Sequence, residues 1–263
     1  TNNSLLEFTG SEFHKIPMLD SKGEELATYV KQVYPLKNKD VAVATSGYGI
    51  MIKKKDAQEC HAMKGEVEKL KYIHKLLEDK RGRLWIITED GKLYRKETNG
   101  RVTSHFVGTE GVDAQDIQQD VLGNLYLASK NQGVHLLRAG SNVFTRISSI
   151  GNLPIDNIYI SRNNKLYIGC DGLGIYVYDP QTGFLQDNPL FSRLVNLAKS
   201  KVTSIIEDNQ GNIWVSMLQK GVFMQSNIQN DFNYMGFRLG NRNVIGENCV
   251  TSLMHPYGAF CKI

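Results

Sequence analysis

The hydrophobic residues of this chain occur in short runs that are separated by turns rich in glycine, asparagine and aspartate. The clearest stretch reads Val202-Thr-Ser-Ile-Ile, then Asp208-Asn-Gln-Gly, then Ile213-Trp-Val-Ser and finally Gly221-Val-Phe-Met. The runs are rich in β-branched and aromatic residues and lack helical spacing, so each predicts a strand rather than a helix. The pattern therefore predicts an all-β protein.

The runs belong to a block that recurs along the chain. Its clear copies have an aromatic anchor at Trp85, Tyr126, Tyr167 and Trp214, with spacings of 41, 41 and 47 residues. A second glycine follows each anchor, at Gly91, Gly133, Gly174 and Gly221. Four short antiparallel strands per unit, at a period of roughly 40–50 residues, are typical of a β-propeller blade.

The turn between the first and second strands has its own chemistry. It starts with aspartate and ends with glycine in Asp79–Gly82, Asp120–Gly123 and Asp208–Gly211, and Asn164 replaces the glycine in the remaining clear copy. Aspartate can accept a backbone N–H two residues on, and glycine and asparagine tolerate a positive φ. We predict that conformation for this turn.

Two weaker copies of the block determine how many blades we expect in the ring. One runs from Val41 to Ile50 with Gly49 in register, and the other begins at Val250. We expect one propeller domain over 1–263, with a half blade at 1–29, five full blades over 30–249 and a half blade at 250–263. The two halves would pair to give six blades, with the C-terminal strands innermost. The alternative is a fragment of a seven-bladed ring.

Composition narrows the class of protein. A hydrophobic content of 41% argues against disorder, and no apolar run is long enough to span a membrane. The net charge of +4 is mild, so we interpret the lysines at 53–55 and between 64 and 83 as solvated surface rather than a nucleic-acid site. No signal peptide is recognisable at Thr1, so an exported protein would have had its signal removed.

The cysteines and motifs predict neither a metal nor a cofactor. Cys60, Cys170, Cys249 and Cys261 form no CxxC pair and no Cys/His spacing suited to zinc, and Cys249 and Cys261 could pair across a terminal hairpin. The histidines do not cluster, and GxSxG, HExxH and P-loop motifs are absent. We therefore expect a protein that is not an enzyme.

Two copies of the block resemble a known family. The stretch from Leu153 to Gly183, and Val202-Thr-Ser-Ile-Ile-Glu-Asp-Asn-Gln-Gly-Asn-Ile-Trp-Val-Ser, resemble the two-component regulator propeller repeat. The resemblance implies a periplasmic sensor region of a Bacteroidetes hybrid two-component system, which binds carbohydrate breakdown products and signals to a cytoplasmic kinase. It leaves open a homodimer formed through the rest of the sensor. Members of the family usually carry more repeats, and no membrane span or kinase lies in this sequence.

The repeat also locates a candidate ligand site. In a propeller the first strand of each blade lines the central channel, and these strands start twelve residues before each anchor. Their second and third positions are polar and differ between copies, as a site for a hydroxyl-rich ligand requires. The set reads Lys31-Gln32, His74-Lys75, Gln115-Asp116, Asp156-Asn157, Thr203-Ser204 and Thr251-Ser252. The fourth position is apolar throughout. Ordinary lining of a water-filled channel is the competing interpretation for each residue.

Loops between the second and third strands should extend this site. The candidates are Tyr48, Asp90, Lys130, Asp171 and Lys220, together with His74, Lys75, Gln115, Asp116, Asp156, Asn157 and Ser204 from the strands. The recurring aromatic anchors are assigned to the core between blades. We expect an oligosaccharide or other small polar ligand to raise the melting temperature, and loss of Asp116 or Asn157 to abolish that effect. The alternatives are a protein-interaction scaffold and a propeller lyase or lactonase using His74 with Asp116 or Asp156.

Overall fold

The computed structural model describes residues 4–187 and 197–227 and the backbone of one further strand, 232–235. These residues form five sheets of at least four strands each and one two-stranded sheet. The strands within each four-stranded unit follow chain order and are antiparallel. The prediction of an all-β propeller with four-stranded antiparallel blades is confirmed.

The N-terminal residues stand apart from the repeated sheets. Strands β1 (Leu5–Phe8) and β2 (Phe13–Ile16) form the two-stranded sheet, and β3 (Met18–Leu19) pairs in parallel with the outermost strand of the first blade. Blade 1 comprises β4 (Tyr29–Pro35), β5 (Val41–Ser46), β6 (Ile50–Lys53) and β7 (Cys60–Ala62).

Blades 2 to 5 follow the same plan. Blade 2 comprises β8 (Ile73–Glu78), β9 (Leu84–Thr88), β10 (Leu93–Lys96) and β11 (Val102–Thr103); blade 3 comprises β12 (Ala114–Gln119), β13 (Leu125–Ser129), β14 (Gly133–Leu137) and β15 (Phe144–Arg146). Blade 4 comprises β16 (Ile155–Ile160), β17 (Leu166–Cys170), β18 (Gly174–Tyr178) and β19 (Leu185–Asp187); blade 5 comprises β20 (Val202–Glu207), β21 (Ile213–Met217), β22 (Gly221–Gln225) and β23 (Phe232–Met235). Short 3₁₀ segments lie at Glu66–Lys69, Ser148–Ile150 and Leu197–Lys199.

The blade count differs from the sequence-based expectation. The described residues form five blades rather than six. The N-terminal half blade predicted at 1–29 is a hairpin, β1–β2, plus β3, and β3 adds to blade 1 because the backbone of the outer strand β7 is free to pair there. The half blade predicted at 250–263 lies outside the described residues, as do Thr251, Ser252 and the proposed pairing of Cys249 with Cys261.

The aspartate turn has the predicted conformation and also fixes the aromatic anchor. Asp79 Oδ1 accepts hydrogen bonds from the backbone N–H groups of Arg81 (2.9 Å) and Arg83 (3.0 Å). Asp79 Oδ2 accepts the indole N–H of Trp85 at 2.9 Å, and Asp208 Oδ2 accepts that of Trp214 at the same distance. Asn164 has a φ of 59°, as expected for the residue that replaces the turn glycine. The turn therefore links backbone conformation to the position of the anchor.

The core lies between consecutive blades. Trp85 of blade 2 is completely buried and packs with Ile117 and Leu127 of blade 3. Its ring centroid lies 5.1 Å from that of Phe106 and 6.0 Å from that of Phe144, the latter edge-on. Tyr126 occupies the equivalent cluster between blades 3 and 4, and Tyr167 packs against the one between blades 4 and 5. These contacts confirm that three of the anchors are core residues.

The second glycine of the repeat allows the segment that leads to the next blade to approach closely, as Gly133 and Gly49 show. At Gly133, φ is +71°, and a Cβ atom would lie 2.1 Å from the carbonyl oxygen of Gly151. At Gly49, φ is +77°, and a Cβ atom would lie 2.6 Å from the carbonyl oxygen of Leu70. Only glycine accommodates both the conformation and the contact, which explains its place in the repeat.

Candidate functional site

The first strands of the blades form the inner wall. The consecutive first strands β4, β8, β12, β16 and β20 contact one another. Each starts beside the end of its blade's second strand, as the pairs Ala114–Ser129 and Val202–Met217 show. The starts of the inner strands and the loops between second and third strands therefore share one face, as the repeat predicted. We call this face the channel mouth.

Every first strand carries a bulge at the same place. The register shifts between the first and third positions in all five blades. The second-position residue is left without a partner on the adjacent strand, and such bulges redirect a side chain. The bulged residues are Lys31, His74, Gln115, Asp156 and Thr203. The second positions are thus structurally equivalent to one another and distinct from the third.

The third positions join one blade to the next. The side-chain oxygen of Gln32 accepts the backbone N–H of Leu76 at 2.6 Å. Asp116 Oδ2 accepts the backbone N–H of Ile158 at 3.1 Å and lies 3.5 Å from Lys75 Nζ. Burial raises the pKa of Asp116, although Lys75 and the backbone N–H groups act in the opposite direction.

Asn157 forms the next contact between blades, and its side-chain oxygen lacks a hydrogen-bond donor. Its Nδ2 donates to the carbonyl oxygen of Val202 at 2.7 Å. Its Oδ1 atom is buried and has no hydrogen-bond partner among the described residues. The neighbouring Asp156 Oδ2 is also buried, and Lys201 Nζ lies 2.9 Å from it. A buried acceptor without a donor is costly, so Asn157 Oδ1 indicates a place for an external donor beside Asp156.

An ion network surrounds Asp156. Lys201 Nζ lies 2.9 Å from Asp156 Oδ2 and 3.0 Å from Asp171 Oδ2, and Lys130 Nζ lies 4.0 Å from Asp156 Oδ1. Burial lowers the pKa of Lys201, but hydrogen bonds and charge attraction from Asp156 and Asp171 outweigh it and raise that pKa. The structure thus brings three predicted residues together around a lysine that the sequence reasoning missed.

The remaining predicted residues differ in their surroundings. Asp90 binds within its own hairpin, accepting from Thr88 Oγ1 at 2.6 Å and pairing with Lys92 at 2.7 Å. Lys220 Nζ donates to Ser200 Oγ at 2.8 Å. Ser204 is half-buried, and its carbonyl oxygen accepts Ser216 Oγ at 3.4 Å. These contacts place all three at the mouth, but none of the contacts joins them to the network of Asp156.

Exposed tyrosines occupy the mouth beside blade 1. Tyr29 pairs with Ser46 within the blade, and Ser46 bridges to Tyr72 of blade 2. Tyr48 lies in the following loop, so three tyrosines with exposed fractions of 44–59% surround one strand end. Tyr29, Tyr72 and Lys201 all lie one residue before the first position of the aligned repeat, with Tyr29 opening β4. Extending the aligned repeat by one residue would have found them, because this position also varies between copies.

His74 is kept neutral by its surroundings. Burial, followed by the charges of Lys75 and Lys31, lowers its pKa to about 4, and Glu89 opposes the shift. Lys31 itself pairs with Glu89 at 3.2 Å. Among the described residues no carboxylate lies within 4 Å of His74, so it does not form the pair with Asp116 or Asp156 that the enzyme alternative used.

We expect the stability of the wild-type protein to fall between pH 6.5 and pH 4 because of His74. The unfolded imidazole takes up a proton near pH 6.5, whereas the folded one does so only near pH 4. Folding therefore becomes less favourable by up to roughly 3 kcal/mol across this interval. Urea unfolding at several pH values would measure it. The variant His74→Gln should lose this component, and an unchanged pH profile would refute the assignment.

The described residues offer no metal site and no membrane helix. No group of three or more His, Cys, Asp or Glu side chains in the described ranges is arranged to hold an ion. Within those ranges, too, no helix is long and apolar enough to cross a bilayer. Cys60 and Cys170 are free and buried, and burial raises the pKa of each thiol to about 12, so both stay protonated.

Comparison with known proteins confirms the sequence resemblance. The two component regulator propeller family matches residues 69–90 and 196–219, which contain the first two strands of blades 2 and 5. These parts of blades 2 and 5 are thus similar to the two-component regulator propeller repeat. No curated protein matches the chain.

Solved structures share the architecture. The extracellular domain of BT4673 from B. thetaiotaomicron, assigned as a hybrid two component system, matches with a TM-score of 0.76 and 17% identity over 96% of this chain and 33% of its own. The corresponding domain of BT3049 from the same organism gives 0.72 and 16% over 95% and 34%. Virginiamycin B lyase from Staphylococcus aureus gives 0.63 and 12% over 91% and 74%. The chain spans about a third of the length of the first two, and these identities establish the propeller fold alone.

Proposed function

We propose that this propeller is the ligand-binding part of a periplasmic sensor in a two-component signalling protein, and that it binds a carbohydrate breakdown product at the channel mouth. The repeats in blades 2 and 5 and the likeness to extracellular sensor domains support the signalling role. The observation that carries the binding role is the buried acceptor Asn157 Oδ1, which has no donor among the described residues and lies next to the ion network of Asp156.

A sugar hydroxyl matches this chemistry. It can donate to a buried acceptor and accept from a lysine at the same time, and Lys130 and Lys201 lie beside Asp156. Carbohydrates also present C–H faces that pack on aromatic rings, and Tyr29, Tyr48 and Tyr72 are exposed at the same mouth. Few convergent polar groups beside an apolar surface are typical of small-molecule sites.

We propose binding rather than turnover. A propeller lyase shares the fold, but His74 has no carboxylate partner in the described ranges and is neutral above about pH 4. A neutral imidazole can donate or accept a hydrogen bond without a net charge. Turnover of a bound oligosaccharide that disappears in His74→Gln would establish the enzymatic alternative instead.

The test is a thermal-shift screen against neutral and acidic oligosaccharides, with wild type and Asp156→Asn compared. This substitution preserves size but removes the charge and one acceptor oxygen. Losing a hydrogen bond to a charged group costs about 1.5–3 kcal/mol, so we expect the affinity to fall roughly ten- to hundredfold. Asp116 and Asn157 are poorer probes because their side chains also join blades.

The matched control is Glu24→Gln, which removes an exposed carboxylate beside β3 at the outer edge of blade 1. It should bind as tightly as wild type. A broad library that gives no shift would overturn the proposal. A shift that is the same in wild type and in Asp156→Asn would place the ligand elsewhere. Capture of a protein partner without any small-molecule shift would favour the scaffold alternative.

A further inference from the structure

A second concave site lies away from the channel mouth, between blades 2 and 3. The cavity has a volume of about 180 Å³ and is bounded by the aspartate turns of both blades and by the end of β14. Its lining includes Lys80, Arg81, Arg83 and Arg138 and contains no aspartate or glutamate. We call it the basic cavity.

Most of these cations are unpaired. In the part of the chain that the structure describes, Lys80, Arg81 and Arg138 have no carboxylate oxygen within 4.0 Å. Lys80 Nζ instead donates to the carbonyl oxygen of Val121. Arg83 is held by buried Asp79, whose Oδ2 accepts its Nε at 2.7 Å, and lies over the ring of Trp85. One guanidinium is therefore fixed in position while its other nitrogens make no hydrogen bond within the described residues.

Comparison of the blades shows that the fold does not require a cation at the position of Arg138. The register of the third strands makes Arg138 equivalent to Glu97 in blade 2, Asp179 in blade 4 and Ser226 in blade 5. An acid or a neutral residue therefore stands at this position in blades 2, 4 and 5, whereas blade 1 has Lys54, which pairs with Asp40 at 2.8 Å. Only blade 3, among blades 2 to 5, places a cation there.

The corresponding cavity between blades 4 and 5 provides an internal comparison. It has a volume of about 390 Å³ and is lined by the equivalent elements. Its counterparts of Arg81 and Arg138 are the neutral residues Asn163 and Ser226, and it contains Glu207. The cavity between blades 4 and 5 thus has no excess of charge, whereas the equivalent cavity between blades 2 and 3 is basic. Concentrating like charges is unfavourable, so the fold alone does not explain the basic cavity.

We propose that the basic cavity binds an oxyanion, as a free sulfate or phosphate or as the ester group of a larger molecule. Guanidinium groups bind such oxygens through paired N–H donors, and Arg83 is already oriented by Asp79. An anion would also relieve the repulsion among Lys80, Arg81 and Arg138, because Arg83 is already paired with Asp79. This site is independent of the sugar-binding mouth.

The experiment compares sodium sulfate and sodium phosphate with sodium chloride at equal ionic strength. Thermal shift and the amide NMR signals of 139–141, which border the cavity, are the two readouts. We expect saturable binding of sulfate or phosphate to the wild-type protein. The double variant Arg81→Asn and Arg138→Ser gives this cavity its blade 4–5 counterparts, and it should weaken binding at least tenfold. Both side chains are exposed and lack described contacts, so the variant should fold.

Two controls separate the outcomes. Arg101→Ser removes one exposed cation from the β10–β11 turn and should leave binding unchanged. A sulfated and a phosphorylated sugar then distinguish an ester from a free ion, since either result supports the site. A response no larger than that to chloride, or one retained in the double variant, would overturn the proposal. Neutral oligosaccharide binding at the mouth should be equal in wild type and double variant, so the two proposals fail separately.

Discussion

Replacing Asp79 by alanine is expected to lower the free energy of unfolding by about 3–5 kcal/mol, the usual result of breaking a buried ion pair from one side. Asp79 is completely buried and accepts hydrogen bonds from the side chains of Arg83 and Trp85 as well as from two backbone N–H groups. Alanine leaves all four donors without their acceptor. Urea unfolding at pH 7 would measure the change.

The matched variant is Asp208→Ala in blade 5. Asp208 makes the same turn and the same bond to a tryptophan, Trp214, but binds Asn212 where Asp79 binds an arginine. It is also less buried, so we expect a smaller loss, of about 1–3 kcal/mol. Equal losses in the two variants would show that the arginine pair adds nothing to the turn.

The contribution of the aspartate turn to stability also depends on pH. Burial raises the pKa of Asp79, but its hydrogen bonds with Trp85 and Arg83 outweigh burial and leave the pKa lowered. The contribution of Asp79 is therefore fully present above the unfolded value near 3.8, and it is lost as pH falls through the lower folded value. This loss begins below the interval in which His74 acts.

The second large effect is expected for Gly133→Ala, which should lower the free energy of unfolding by about 3 kcal/mol or more. A positive φ alone costs an alanine roughly 1–2 kcal/mol. The added Cβ would also lie 2.1 Å from the carbonyl oxygen of Gly151, so the backbone between blades 3 and 4 must move, at a further cost of about 1–3 kcal/mol. Thermal and urea unfolding of the variant would measure the sum.

Gly172→Ala separates the two contributions. Gly172 has a φ of +77°, but nothing lies within 4 Å of the position of its Cβ. The Gly172→Ala variant should therefore lose only roughly 1–2 kcal/mol of unfolding free energy, which is the cost of the positive φ. If both variants lost the same amount, close approach between the blades would not be the reason for the second glycine.

Much of the fold could be predicted because each residue type that a turn or strand needs recurs in several copies of the repeat. Asp79, Asp208 and their turn glycines predict the same backbone, and Asn164 and Lys39 adopt the positive φ where the glycine is absent. Ring closure could not be predicted in the same way. It depends on the pairing of chain ends that carry only partial copies, and the pairing of β3 with β7 follows from no repeated position.

The repeat correctly placed the starts of the inner strands and the loops between second and third strands on one face, but it implied too simple a geometry there. Counting alternate residues treats the second and third positions as ordinary strand neighbours, whereas the bulge leaves Asp156 unpaired and directs Asn157 towards Val202 of the next blade. A bulge depends on the pairing of two strands, so a single strand's sequence does not reveal it. Lys201 was missed because it lies just before the strand, and its partners come from the bulge of β16 and from the loop that follows β17.

The most direct test of the central claim is amide hydrogen exchange with and without the oligosaccharide that gives the largest thermal shift. Binding at the channel mouth should slow exchange around the bulges of the inner strands, above all at 155–157, and in the loop that contains Asp171. The turns on the opposite face should be unchanged. Protection confined to those turns or to the outer strands, with none around 155–157, would contradict the account.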